Sequence, residues 1–200
     1  MDNIPLPSFY GDLTATLTHA WACMVRGGVD KKSAFSTPSV ATVDVKSDGR
    51  ISAQQRTMIL RSATESSQIL RFYTDNRSLK TTQIRASSGT SILFYSATQH
   101  LQIRLQGVAQ LRIEDALCLQ LWNNLPPHGR SSYLSLTAPG TACKSLDEYA
   151  TEIEQVPTNF CVMDVRATEI ETLFLYRAGN QRACFQYDNG KLTHSTFLQP

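Results

Sequence analysis

Residues 55–106 read QRTMILRSATESSQILRFYTDNRSLKTTQIRASSGTSILFYSATQHLQIRLQ, and this stretch decides the fold. It is rich in the β-branched, aromatic and alternating residues that are typical of strands. Its cationic and hydroxyl side chains cluster at the ends of those strand patterns. The stretch therefore predicts a β-sheet that presents polar groups where its strands end.

The same patterns continue on both sides of this stretch. Turn signals at Ser47-Asp48-Gly49 and at Asn189-Gly190 predict hairpins. The predicted strands are 39–45 with its hairpin return, 54–62, 69–74, 91–97, 101–113, 160–166, 169–176, 182–187 and 192–197. The early, closely connected strands predict an antiparallel meander, and Gly107 predicts a bend or bulge. We expect a mainly β protein with peripheral helices (α+β), a closed or split, antiparallel, Greek-key-like barrel.

Helical patterns occur at four places. Apolar spacing predicts an N-terminal helix over about 9–26 that ends at Gly27-Gly28. A second helix follows residue 74, capped by Asp75 or Asn76 and running to about residue 87. Residues 114–122 and 146–156 predict further helices within a helical and irregular insert at about 114–157. We expect a single domain over 1–200.

Composition limits the possible functions. A net charge of +2 disfavours nucleic-acid binding as the main role, so any anion site must be local. Five cysteines without a CxxC pair predict reduced, mostly buried thiols. No signal sequence or apolar run is seen, so we expect a cytoplasmic protein with no membrane partner. The scattered histidines predict no metal site.

Four residues near strand ends suit a phosphate group. Ser78 and Lys80 lie in the first turn of a predicted helix, where backbone N–H groups favour anions. Arg56 and Arg61 flank the neighbouring predicted strand and could add charge-assisted hydrogen bonds. Strand alternation places these two arginines on opposite faces unless a bulge intervenes. The alternative is that all four are solvated surface residues.

A flat heteroaromatic ring is the second ligand group that the pattern suits. Such a ring needs hydrogen bonds at its edge and apolar contacts on its faces. The backbone of residues 58–60 could supply the first, and the amide of Gln102 could contact a polar edge. The alternative for Gln102 and Arg104 is an exposed sheet face.

Three motifs together resemble the pyridoxamine 5′-phosphate oxidase superfamily of FMN-binding split barrels, most closely its oxidase-related branch. They are RTMILR at 56–61, FYTDNRSLK at 72–80 and QIRLQG at 102–107, in the family's order. The resemblance covers residues 35–115 well and the C-terminal strands loosely. It implies FMN as cofactor. It also implies a homodimer with FMN in the interface, in two equivalent sites built from both chains.

The resemblance also implies roles for individual residues. Arg56, Ser78 and Lys80 would hold the FMN phosphate, and Arg61 would lie near the phosphate or the substrate. The remaining cofactor contacts would be Thr57, Met58, Ile59, Leu60, Tyr73, Thr74, Gln102 and Arg182.

Some positions depart from the family pattern. Leu79 stands where classical members have an arginine, which Arg77 could replace. On the substrate side Arg130 matches a substrate-binding arginine, Trp122 lies near a tyrosine position, and Ser131 or Ser132 could stand for a serine. The C-terminal histidine and first arginine of the classical pattern have no counterpart.

The implied function is that of an FMN-dependent oxidoreductase. A substrate such as pyridoxamine or pyridoxine 5′-phosphate would pass a hydride to flavin N5, and oxygen would reoxidise the flavin, as in vitamin B6 metabolism. No dedicated catalytic acid or base is identified. The alternatives are an NAD(P)H-dependent flavin reductase, a non-catalytic FMN- or haem-binding module, and a structural dimer that has lost its cofactor.

Overall fold

The computed structural model describes residues 6–143, 158–177 and 179–200. The α-helices in these ranges are α1 (Leu13–Val29), α2 (Leu79–Ala86), α3 (Ala116–Asn123) and α4 (Pro127–Arg130). The strands are β1 (Ser39–Val45), β2 (Ile51–Thr57), β3 (Leu60–Thr64), β4 (Ile69–Asp75), β5 (Gly89–Ser96), β6 (Leu101–Ile113), β7 (Phe160–Phe174), β8 (Gln181–Asp188) and β9 (Lys191–Leu198). Among the described helices, none is long and apolar enough to cross a membrane.

One sheet contains all nine strands, and β7 has three neighbours in it. The main order is β2-β1-β5-β6-β7-β4-β3, and β8 and β9 branch from β7. The first half of β7 pairs with β4 and its second half with β8, both antiparallel. The expected mainly β, antiparallel split-barrel class with peripheral helices is confirmed.

A bulge explains why β7 is one strand and not the two predicted at 160–166 and 169–176. The register between β6 and β7 shifts between Gln106 and Gly107, which leaves Thr168 without a partner residue across the ladder. A Cβ at position 107 would lie 2.5 Å from the carbonyl oxygen of Arg166, so this close approach requires glycine. The bend predicted at Gly107 is confirmed as this bulge.

The segment predicted as one strand over 54–62 is two strands, β2 and β3, separated by a short break. β2 pairs with β1, whereas β3 pairs with β4, so the predicted meander was wrong. At the break, the N–H groups of Met58 and Leu60 donate to the carbonyl oxygens of Pro38 and Ser36, at 3.0 and 2.9 Å. The loop before β1 thus accepts the hydrogen bonds that a neighbouring strand would otherwise accept, and the chain changes direction between β2 and β3.

The predicted turns are confirmed, and two helix ends differ from the prediction. The hairpins at 47–49 and at Asn189-Gly190 join β1 to β2 and β8 to β9, with φ of +48° and +76° at the second turn. Ser78, and not Asp75 or Asn76, is the N-cap of α2. The predicted helix at 114–122 is α3, and the one at 146–156 lies outside the described residues.

Helix α1 runs through Gly27-Gly28 and does not end there, contrary to the prediction. These glycines lie at points of close packing between the helix and its neighbours. A Cβ at Gly27 would lie 2.4 Å from the carbonyl oxygen of Phe35, and one at Gly28 would lie 2.9 Å from the Cα of Ser62. The helix packs on β3, and its side chains Trp21 and Met24 are buried in the main core. The two glycines allow neighbouring segments to pack closely against α1, and they do not end the helix.

Gly27→Ala should lower the free energy of unfolding by about 1–3 kcal/mol, although alanine is the better helix former. The added methyl meets backbone atoms of residue 35, which cannot move as a flexible side chain would. Urea denaturation of the purified protein measures the change. Gly89→Ala is the matched control, because a Cβ there has no neighbour within 4 Å. Equal stability of Gly27→Ala and the wild type would contradict this packing role.

Candidate functional site

Arg56 reaches from β2 towards α2 across the neighbouring strand. Its Nη1 donates to Thr42 Oγ1 at 2.7 Å, and its Nη2 donates to Gln83 Oε1 at 3.3 Å. Thr42 Oγ1 also donates to Gln83 Oε1 at 2.6 Å, so the three side chains form one network. Thr42 and Gln83 are both buried, and they hold the guanidinium in place beneath the helix.

Lys80 lies beside this network, in the first turn of α2. Its Nζ donates to Thr74 Oγ1 at 3.1 Å, and Thr74 Oγ1 lies 3.4 Å from Ser78 Oγ. Thr74 is the second-last residue of β4 and Ser78 caps α2, so the strand end and the helix start bring these hydroxyls together. Arg56, Lys80, Thr74 and Ser78 form what we call the cation cradle.

The cation cradle has positive charge without a paired carboxylate. Burial lowers the pKa of Lys80, and the nearby Arg56 lowers it further, while Asp75 partly opposes this. Burial also lowers the pKa of Arg56. Within the described residues neither cation forms an ion pair, although most other partly buried arginines here do. Because two partly buried cations repel each other, the arrangement fits a bound anion such as a phosphate.

Arg61 lies apart from the cation cradle, on the outer side of β3. The register of β3 and β4 shifts between Leu60 and Ser62, so Arg61 lies in a bulge. Strand alternation therefore does not predict which face Arg61 occupies. Its guanidinium lies over the ring of Tyr73, 5.0 Å from the centroid, and its charge partly offsets the rise that burial causes in the pKa of Tyr133. Its Nε is buried and has no partner within the described chain, so it could still bind a ligand.

The break between β2 and β3 lies between these two arginines. Its Met58 and Leu60 are buried, whereas Ile59 is 53% exposed. The N–H groups of the buried pair are hydrogen-bonded, but the N–H of Ile59 has no acceptor in the part of the chain described. One backbone donor therefore remains for a ligand. Thr57 ends β2 and is exposed, on the face opposite to Arg56.

Gln102 and Arg182 lie on a different face of the sheet from the cation cradle. Cross-strand pairing places one row of side chains on the inner face: Arg56, Val40, Ile92 and Leu105. Gln102 is three residues from the last of these on β6, so it faces outward. It shares the outer face with Leu173 and Arg182. One protomer therefore does not bring Gln102 to the cation cradle.

Glu171 organises the charges beside Gln102. Its carboxylate binds Arg104 at 2.8 Å and Arg182 at 2.9 Å, and it is itself 6% exposed. The triad leaves a net positive charge on this outer face. Arg104 is half-exposed, which agrees in part with the alternative of an exposed sheet face.

The residues predicted to bind substrate do not form one network as those of the cation cradle do. The guanidinium of Arg130 lies over Trp122, 5.4 Å from the ring, and donates to the carbonyl of Asn123 at 2.9 Å. Ser131 Oγ donates to the carbonyl of His128, and Ser132 is exposed. Arg130 and Arg61 each lie over one ring of the same aromatic cluster, Arg130 over Trp122 and Arg61 over Tyr73.

Arg77 does not replace the arginine that is missing at Leu79. Its guanidinium is bound to Asp75 at 2.8 Å and to the carbonyl oxygens of Ser135 and Leu136 at 2.9 and 3.1 Å. Leu79 is largely exposed on the first turn of α2. The cation cradle therefore has two cations.

Sequence reasoning missed four residues of the site: Thr42, Gln83, Tyr133 and Glu171. Thr42 is polar at an inward position of β1, and Gln83 lies one turn after Lys80 on α2, which are weak signals for a buried polar network. The sequence pattern carries no comparable signal for Tyr133 or Glu171, because their partners are distant in the chain.

Comparison with known proteins agrees with this geometry. Residues 18–112 match the family model "Pyridoxamine 5′-phosphate oxidase, FMN-binding domain". A pyridoxamine 5′-phosphate oxidase-related, FMN-binding protein of Nostoc punctiforme PCC 73102 is 22% identical, with a TM-score of 0.69 over 98% of this chain and 100% of that one. PhzG of Burkholderia lata 383, solved with tetrahydrophenazine-1-carboxylic acid, is 22% identical, with a TM-score of 0.72 over 98% of both chains.

The comparison with curated proteins gave no match. The two structures share the fold with this chain, and the family model covers the cation cradle and all three sequence motifs. Residues 18–112 are therefore similar to the FMN-binding domain of the pyridoxamine 5′-phosphate oxidase family, and the chain has the same fold as these two solved proteins.

Proposed function

We propose that this protein is an FMN-dependent oxidoreductase. The observation that carries the proposal is the cation cradle: Arg56 and Lys80 are partly buried, lie close together and form no ion pair within the described residues. Arg56, Lys80, Ser78 and Thr74 would hold the phosphate, and the free N–H of Ile59 would face the ring. When bound, FMN supplies hydride-accepting, two-electron chemistry.

The chain's own residues would place and polarise the bound ring. Arg61 lies two residues after Ile59, near the start of β3, and its unpaired Nε could donate to the ring or to a substrate. A cation beside the ring favours the anionic reduced form. Arg61 is fixed by its contacts with Tyr73 and Tyr133, so little reorganisation is needed when charge develops.

We also propose that the site is completed by a second copy of the chain. Gln102 and Arg182, which the family resemblance assigns to the flavin, face away from the cation cradle of their own protomer. The outer face that carries them includes Tyr95, which pairs with Gln102 across the β5–β6 ladder and is 51% exposed. Packing this face against a second copy would bring these residues to the partner's cradle.

The substrate that we favour carries an anionic group and a flat ring, as pyridoxamine and pyridoxine 5′-phosphate do. Arg61 and Arg130 would bind its anionic group from the two sides of the aromatic cluster. A specific observation favours a second candidate, a non-catalytic FMN-binding module: Arg130 lies flat on Trp122 and is bonded to a backbone carbonyl. An NAD(P)H-dependent flavin reductase is the enzymatic alternative.

The visible absorption spectrum of the purified protein, after FMN addition and desalting, tests the cofactor assignment. We expect flavin bands at about one FMN per chain, because each chain supplies one cation cradle. Anaerobic bleaching by pyridoxamine 5′-phosphate would support the oxidase, and bleaching by NAD(P)H the reductase. Retained flavin that neither reductant bleaches would favour the binding module. A protein that releases all added FMN would contradict the proposal.

A further inference from the structure

Arg77 joins the loop of the cation cradle to a distant segment of the chain. It lies between Thr74 and Ser78, which both belong to the cradle. Its Nη2 donates to the carbonyl of Ser135 at 2.9 Å and its Nη1 to that of Leu136 at 3.1 Å. The loop after β4 and the segment 133–136, nearly sixty residues apart in sequence, are thus tied by one guanidinium.

Asp75 fixes the orientation of this guanidinium. Its Oδ2 accepts from Arg77 Nη2 at 2.8 Å, and its Oδ1 accepts from Arg77 Nε at 3.1 Å and from the backbone N–H of Arg77 at 2.7 Å. Asp75 is 5% exposed, so this pair is shielded from solvent. This pairing directs the fork of the arginine towards the segment 133–136.

A second connection runs in parallel through Asn159. The backbone N–H of Asn76 donates to the carbonyl oxygen of Asn159 at 2.7 Å, and Asn159 Nδ2 donates to the carbonyl of Tyr133 at 3.1 Å. Both connections start in the three residues before Ser78 and end within residues 133–136. The position of Tyr133 is therefore fixed from the cradle loop.

Tyr133 is connected to Arg61 through aromatic packing. Its side chain packs against Phe160 and Trp122, with ring centroids 5.1 and 6.2 Å away. Phe160 in turn packs against Tyr73 at 5.0 Å, and the guanidinium of Arg61 lies over the ring of Tyr73. Moving the backbone at residue 133 would therefore disturb the packing that positions the guanidinium of Arg61.

We propose that Arg77 is a positioning residue that couples the cation cradle to Arg61. Ordering of the loop at Ser78 by a bound phosphate is transmitted through Arg77 to the segment 133–136, and so to Tyr133 and Arg61. The proposal rests on the FMN-binding function proposed above, and it adds a residue that the family motifs leave unassigned.

Lysine cannot replace arginine in this role. An ammonium could still pair with Asp75, but it lacks the planar fork that reaches the carboxylate and two carbonyls at once. Arg77→Lys thus removes the connection while keeping the charge, and it is less disruptive to folding than Arg77→Ala. Arg71→Lys is the matched control. Arg71 forms a bidentate pair with Asp164 at 2.7 and 2.8 Å, with similar exposure, and does not contact residues 133–136.

Hydrogen exchange of the backbone amides in 131–137, with and without FMN, tests the proposal on the full chain. In the free protein, Arg77→Lys should accelerate exchange there by about tenfold or more, and Arg71→Lys should not. FMN should slow exchange in this segment for the wild type and for Arg71→Lys. In Arg77→Lys, FMN should still bind but should no longer slow exchange in the segment.

Two results would overturn the proposal. One is unchanged exchange of 131–137 in free Arg77→Lys, and the other is equal protection by FMN in Arg77→Lys and in the wild type. A merely structural role would speed exchange in both states and leave the protection by FMN intact. If the wild type bound no FMN, the proposed function would fail, whereas the exchange of the free variants would still report whether Arg77 positions the segment.

Discussion

Lys80→Met should weaken FMN binding by about 1–3 kcal/mol, or roughly 5- to 150-fold in Kd. The lysine is partly buried and forms no ion pair in the described chain, so a bound phosphate would be its main charged partner. Quenching of FMN fluorescence on titration with protein measures Kd. Lys46→Met is the matched control, because Lys46 is exposed and already paired with Asp44 at 2.7 Å.

Lys80→Met should not lower the stability of the free protein, although it weakens FMN binding. The folded-state pKa of Lys80 lies below 10.5, so its charge opposes folding at neutral pH. This cost starts to fall as pH rises past the lowered pKa and is gone once pH exceeds 10.5, where the unfolded chain also loses the proton. Lys80→Met should therefore leave the free energy of unfolding unchanged or higher at pH 7. Wild-type FMN affinity should decline at alkaline pH below the range in which an ordinary lysine titrates. An unchanged Kd in Lys80→Met would refute the phosphate assignment.

Mixing two binding-deficient variants should restore FMN binding. The first variant, Arg56→Gln with Lys80→Met, removes the cations of the cradle, and the second, Gln102→Leu with Arg182→Leu, removes the outer-face contacts. If each site uses the cradle of one copy and the outer face of the other, a heterodimer has one intact site and one site with every defect. Each homodimer should lose most binding, and the heterodimer should bind about one FMN per dimer.

Co-expression with two different affinity tags allows the heterodimer to be purified away from both homodimers. The pair Arg56→Gln with Lys80→Met on one chain and wild type on the other is the control, and it should also bind about one FMN per dimer. A heterodimer of the two deficient variants that binds no FMN would show that Gln102 and Arg182 serve the cradle of their own copy. A monomer in solution would refute the two-copy site directly.

Much of the architecture follows from local sequence. Period-two alternation identifies β6 over 101–113 without error. The pair Asn189-Gly190 marks the hairpin between β8 and β9, because both residues adopt positive φ there. Each of the three motifs is contiguous in sequence, and together they resemble the family whose model matches residues 18–112. Each of these features depends on residues that are neighbours in the chain, and so the sequence contains the whole signal.

Other features depend on residues that meet only in the folded chain. Alternation assigns a face to each residue within one strand. The break after β2, in contrast, exists because the N–H groups of Met58 and Leu60 donate to the carbonyl oxygens of Pro38 and Ser36. Gly27-Gly28 resembles a helix stop, yet Phe35 and Ser62 approach the helix there and make glycine a packing requirement. Local patterns cannot report such contacts, because the partners are set by long-range register.

The site divides in the same way. The sequence by itself determined which side chains could bind a phosphate and a flat ring, because residue type and spacing carry that chemistry. Only the tertiary structure decided that Arg56 and Lys80 share a buried network, that Arg77 is committed to another segment, and that Gln102 faces away from both cations. The physical reason is strand pairing: which faces meet depends on the register between strands far apart in the chain, and no local pattern encodes it.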